Sequence, residues 1–196
     1  YSKKEQQGTV VFSKSIAGVE MTKLYKPGNG DYFLDQEITL KFPAGDKTDF
    51  GYLIVPLGGV GLVPHEEDAL RAWEAVSYQN DSLVRKKWND IKDGVEVAQG
   101  STKWVAFGNR YFTNAIVNES SINPDVVFER TGEFAGVYLR FPLVVKADQR
   151  EIFLRFQLFS GPKDYVELSK VPGLRQLIDY GMFSFFAYPL LEILQF

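Results

Sequence analysis

In two runs, Ala135–Val145 and Ile152–Phe159, apolar side chains recur at every second position, and this periodicity limits the fold more than any other feature. Val137, Leu139, Phe141, Leu143 and Val145 fall on one face of an extended segment, and Ile152, Leu154, Phe156 and Leu158 on one face of the next. A two-residue period places every second side chain on the same side of a β-strand, whereas a helix would scatter these residues around its circumference. In the second run the opposite face carries Phe153, Arg155, Gln157 and Phe159. Apolar residues on both faces predict a central strand, covered on one side by a second sheet and on the other by the terminal helices.

The preceding sequence reads the same way. Four strands are expected over residues 9–56, including Thr9–Ser13, Gly18–Tyr25 and Phe50–Leu57, with a turn at Ser15-Ile16-Ala17. Lys26-Pro27-Gly28-Asn29-Gly30 is turn chemistry, joining a fixed proline φ to glycines free to take positive φ. After it, Tyr32, Leu34, Ile38 and Leu40 alternate with Phe33, Asp35, Glu37 and Thr39. Residues 66–92 have helix formers at the start, yet Trp73, Ala75 and Ser77 followed by Ser82, Val84, Lys86 and Trp88 predict a hairpin about Asn80-Asp81. Two strands pivoting near Gly108-Asn109 and one over Asp125–Glu129 complete the pattern. Roughly eleven or twelve short strands without intervening helices predict a mainly β, antiparallel sandwich.

At Gly161 the alternation stops and helical spacing begins, so the expected organisation is a β-sandwich over residues 1–160 and a helical segment over 161–196. Residues 182–196 carry one formal charge, Glu192. On a helix, Ser184, Tyr188, Glu192 and Gln195 form one polar stripe, and Phe183, Phe186, Leu190, Ile193 and Leu194 lie on the apolar surface. The stretch is shorter than the roughly 20 apolar residues that span a bilayer. These five residues are therefore expected to pack on the β core or to lie in a membrane interface.

Several chemistries are disfavoured. The net charge is −3, from 22 basic and 25 acidic residues, and the longest basic run is Arg85-Lys86-Lys87, so no nucleic-acid partner is expected. Cysteine is absent, which removes disulfides and thiolate metal sites. His65 is the one histidine, and it lacks the partners a multi-histidine metal site or a serine nucleophile would need. The Gly58-Gly59-Val60-Gly61 loop lacks the Lys-Ser/Thr pair of a phosphate loop. The carboxylate pairs Glu66-Glu67 and Glu129-Glu133 read as solvated surface. No catalytic residue, cofactor site or metal site is assigned. Among Trp73, Trp88, Trp104, Tyr32 and Tyr111, any exposed ring could stack on a sugar or peptide, and most are expected in the core. Tyr1–Gly8 is polar and has no apolar signal-like stretch.

Phe159-Ser160-Gly161-Pro162-Lys163-Asp164-Tyr165, followed by Leu174-Arg175-Gln176-Leu177-Ile178-Asp179-Tyr180-Gly181, resembles the end of the large periplasmic domain in YidC-type membrane protein insertases. Pro189-Leu190-Leu191 stands at that family's proline-leucine pair. Trp104-Val105-Ala106 with Tyr111-Phe112 resembles its tryptophan strand, and Tyr25-Lys26-Pro27-Gly28 its middle hairpins. The likeness runs from about Thr9 onward and is weak over residues 43–100.

The resemblance implies a β-supersandwich similar to galactose mutarotase-like folds, with short C-terminal helices. It implies a location on the periplasmic face of a bacterial inner membrane, within a multi-pass protein that inserts and folds membrane proteins with or without the Sec translocon. The partners it implies are the translocon with its accessory subunits, nascent membrane proteins, and the membrane surface through the helix ending at Phe196. It implies no enzyme activity. A carbohydrate-binding or mutarotase-like sandwich is the alternative, and that chemistry needs a histidine acid and a carboxylate base in one cleft.

Overall fold

A computed structural model describes residues 2–6, 8–45, 48–57, 73–132, 134–146 and 148–178. The chain forms two compact units, a larger one ending at Pro162 and a smaller one beginning at Lys163. Thirteen strands are described: β1 (Ser2–Gln6), β2 (Thr9–Ile16), β3 (Val19–Pro27), β4 (Phe33–Lys41), β5 (Asp49–Leu57), β6 (Glu74–Gln79), β7 (Ser82–Lys87), β8 (Gly94–Ala98), β9 (Thr102–Gly108), β10 (Phe112–Asn118), β11 (Asp125–Thr131), β12 (Phe134–Val144) and β13 (Glu151–Pro162).

They build two antiparallel sheets. The larger has nine strands in the order β1-β2-β3-β4-β13-β10-β9-β6-β7, and the smaller four in the order β5-β12-β11-β8. The alternation read from the sequence becomes the packing. Ile152, Leu154 and Phe156 of β13 and Ile38 and Leu40 of β4 meet Val137, Leu139 and Phe141 of β12 in one buried cluster. The rings of Phe141 and Phe156 touch edge to face across the sandwich, 5.5 Å between centroids. β13 is the middle strand of the large sheet, as its two-faced apolar pattern requires.

That second face is only partly buried. Phe159 is buried and packs its ring 5.0 Å from Phe33. Phe153, at the other end of the strand, is 47% exposed and lies under the Arg155 guanidinium. Phe33 keeps its place on the Asp35–Glu37 face and is buried there because it neighbours Phe159 in the β4–β13 register. Further along this face Trp104, Ala106, Ala115 and Val76 are buried, with Trp104 stacked on Tyr78.

The hairpin expected over residues 73–88 is β6–β7. Asn80 and Asp81 take positive φ, 49° and 59°, as a two-residue turn matching the strand twist requires. Residues 58–72, including the glycine-rich loop, lie outside the described residues. The turn expected at Ser15-Ile16-Ala17 sits one step later, at Ala17-Gly18, because β2 stays paired to Ile16 and Ala17 and Gly18 take the positive φ. β1 and β8 are strands that the pattern reading does not anticipate.

In the smaller unit, α1 (Tyr165–Ser169) starts at Asp164, whose carboxylate accepts the Glu167 backbone N–H at 3.0 Å. Leu168, Leu174 and Leu177 are fully buried, and a short 3-10 turn covers Leu174–Leu177. No helix among the described residues is long and apolar enough to cross a membrane.

Candidate functional site

The large sheet is wider than the small one, and the mismatch leaves a cleft of about 310 Å³ beside β5. The floor is the inner face of β3, β4, β10 and β13, with Ile38, Ile116 and Leu158 supplying apolar surface. The wall is Ile54–Leu57 of β5. That strand pairs with β12 along one edge, and no strand pairs with its other edge among the described residues. An unpaired strand edge above an apolar floor is the geometry by which sheets accept an extended peptide.

A few polar groups interrupt the apolar lining. Gln36 is 5% exposed, and its Nε2 donates to the Tyr25 hydroxyl at 2.6 Å. The other end of that amide, Oε1, is buried without a hydrogen-bond partner among the described residues. A buried carbonyl left unmatched costs about 1–3 kcal/mol, so this amide is a weak point of the cleft floor. Ser160 Oγ donates to Asn114 Oδ1 at 2.7 Å on the same floor. Among the described residues, Lys23 is the one charged side chain lining the cleft. This lining suits a neutral, partly apolar segment with backbone amides.

Elsewhere on the larger unit, Arg140 of β12 donates from Nε and Nη2 to the Asp125 carboxylate at 3.1 and 2.7 Å and lies over the Tyr52 ring. That bond raises the guanidinium pKa further above its ordinary value. Tyr138 on the same strand has its phenol pushed up, first by burial and then by the Glu129 carboxylate. Asp81 holds the exposed Lys103 ammonium above its ordinary value through their hydrogen bond.

The residues singled out from the sequence distribute unevenly. Phe183, Phe186, Leu190, Ile193 and Leu194 lie outside the described residues, as do His65, Glu66, Glu67 and Glu133. Trp73 and Trp104 are core, whereas Tyr111 and Tyr32 are 67% and 40% exposed. The described residues contain no cluster of three or more metal-ligating side chains. The cleft residues were not anticipated. The one local signal is Gln36, a polar residue at an inward position between Leu34 and Ile38.

The sequence profile of the family described as the YidC periplasmic domain matches residues 2–193. A curated relative named membrane protein insertase YidC, from Geotalea uraniireducens (strain Rf4), is 28% identical over 97% of this chain and 37% of its own length. Another of that name, from Syntrophobacter fumaroxidans (strain DSM 10017 / MPOB), is 25% identical over 93% of this chain and 34% of its own length. The chain thus spans about a third of the length of these relatives. Among solved structures, the galactosidase domain of the alpha-galactosidase-sucrose kinase AgaSK superposes with a TM-score of 0.50 at 12% identity, covering 83% of this chain and 25% of that one. At that identity the likeness concerns the fold alone.

Proposed function

Because this chain belongs to the YidC periplasmic domain family, we propose that it works as a non-enzymatic accessory domain of a bacterial inner-membrane insertase, held at the periplasmic face. The observation that carries this reading is the family match over residues 2–193, which runs through the sandwich and into the apolar terminal stretch. In this reading the sandwich through Pro162 is a scaffold, and the residues after it form a helical segment that attaches it to the membrane surface. Phe183, Phe186, Leu190, Ile193 and Leu194 supply the apolar contact.

The cleft gives the scaffold something to offer. A membrane protein being inserted passes through an extended stage with backbone amides unpaired. The edge of β5 that no described strand pairs with, above the apolar floor, matches such a segment. Nascent membrane proteins are the proposed substrates, and the Sec translocon with its accessory subunits the proposed neighbours. Sugar binding has only the shared fold in its favour.

Photocrosslinking tests the assignment. A benzoylphenylalanine at Ile54, on the cleft wall, is placed in the full-length insertase carrying this domain, and membrane-protein insertion is arrested part-way. Adducts with the emerging substrate are expected. Adducts confined to translocon subunits, or none at all, would contradict the substrate role.

A further inference from the structure

One end of the large sheet differs from the other in what it exposes. At the end where the larger unit finishes, Tyr32, Tyr111 and Phe112 are 40%, 67% and 49% exposed. Their backbones are fixed around the last residues of β13. Phe112 stands opposite Pro162 in the β10–β13 register. Tyr32 accepts the Ser160 backbone N–H at 3.0 Å, and its ring lies across Gly161, where a β-carbon would sit 2.6 Å from it. The Tyr111 turn is pinned by Asn109, whose side-chain oxygen accepts both the Tyr111 and the Phe112 backbone N–H at 2.9 Å. Three large rings thus lie within a strand spacing or two of Pro162, Tyr32 on one side of β13 and Tyr111 and Phe112 on the other, each on backbone held by hydrogen bonds or strand pairing.

We propose that this aromatic rim dips into the lipid headgroup layer, forming a membrane contact on the sandwich itself, separate from the terminal segment. The proposal builds on the membrane-surface location given above. The chain leaves the larger unit at this end, and its sequence then runs to an apolar stretch, 182–196, with one formal charge. Tyrosine rings, apolar in body and polar at the tip, settle at the headgroup level, and Phe112 adds apolar surface beside them. Charge contributes little: the exposed Arg110 beside Tyr111 is offset by the exposed Asp31 beside Tyr32. The contact is therefore expected to persist in about 0.5 M salt, where surface electrostatics is screened within a few ångströms. The opposite end of the sheet exposes Ile16 and Phe153, but sets them among charged neighbours, Glu20, Lys41, Glu151 and the Arg155 guanidinium over the Phe153 ring. At about 3.3 Å per residue, the length of β13 puts the two ends about 35 Å apart.

The test uses the absence of native cysteine. The whole chain is held on nickel-chelating phosphatidylcholine–phosphatidylglycerol vesicles by a C-terminal histidine tag. It carries one nitrobenzoxadiazole-labelled cysteine, as Tyr111→Cys, Ile16→Cys or Phe186→Cys. The expected result is a blue-shifted label at 111, quenched by headgroup-proximal spin-labelled lipid and unchanged in high salt, with the label at 16 remaining in water. A label at 111 as water-exposed as that at 16 overturns the rim contact, even where the label at 186 enters lipid. A label at 186 that stays in water overturns the terminal anchor and leaves the rim to be judged on 111 alone.

Discussion

Gln36 and Tyr25 show how much one polar pair decides at the cleft floor. Tyr25 accepts from the Gln36 amide, while Gln36 Oε1 is buried and unmatched among the described residues. The two ends of this contact therefore respond differently to removal. Tyr25→Phe strips the acceptor from a buried N–H and is expected to lower stability by about 1 kcal/mol. Gln36→Leu removes the donor and the unmatched carbonyl together, so its stability is expected to stay within about 1 kcal/mol of the parent in urea unfolding. A larger loss for Gln36→Leu would mean that the carbonyl is already satisfied. Tyr138 makes a second residue-scale prediction. Its phenol is raised above the ordinary 10.0, so the folded chain keeps a proton that the unfolded chain releases. Lys103, raised above 10.5 by Asp81, has the same sign. For both groups the stabilisation is intact below these ordinary values and is lost as pH climbs through the raised ones. Alkaline titration of the urea midpoint should fall above pH 10, and more shallowly in Tyr138→Phe.

Strands were the legible elements because a half-buried strand writes itself into the sequence every second residue. β12 and β13 were readable from Val137–Leu143 and Ile152–Leu158 alone. The β6–β7 hairpin was readable from its turn, against a local helix propensity in 66–76, because the Trp73–Ser77 alternation and Asn80-Asp81 agreed. Asn80 does more than bend the chain. Its backbone N–H donates to the Ser101 carbonyl at 3.0 Å, and its side-chain oxygen accepts the Ser101 N–H at 2.9 Å, tying the hairpin to β9. Asn80→Ala places a less tolerant residue at positive φ and removes the second bond, and is expected to cost about 1–2 kcal/mol by urea unfolding. Edge strands were harder to read. β1 is Ser-Lys-Lys-Glu-Gln, with no apolar face to signal it. β8 exposes Val95 and Val97, and the Glu96 between them pairs with Lys86 rather than entering the core. Both are strands because a neighbour offers hydrogen bonds, which no short window of sequence records.

For the whole molecule, the cleft was illegible because it is assembled from residues 23, 36, 54, 114 and 160, brought together only by strand order. The family was legible because its marks are local: Phe159–Tyr165 and Leu174–Gly181 are contiguous runs. The five apolar residues assigned to membrane or core contact lie outside the described residues, so the sandwich itself leaves their role to experiment. The central claim, that this domain is held on a membrane surface by its last residues, is met most directly by vesicle co-sedimentation of the whole chain beside one truncated after Gly181. The account predicts that the whole chain pellets with phosphatidylglycerol-containing vesicles, while the truncated chain stays mostly in solution and unfolds at a similar urea midpoint. A truncated chain that pellets equally well would contradict it and place the lipid contact on the sandwich, whereas one that unfolds while neither version binds lipid would contradict it and make residues 182–196 part of the protein core.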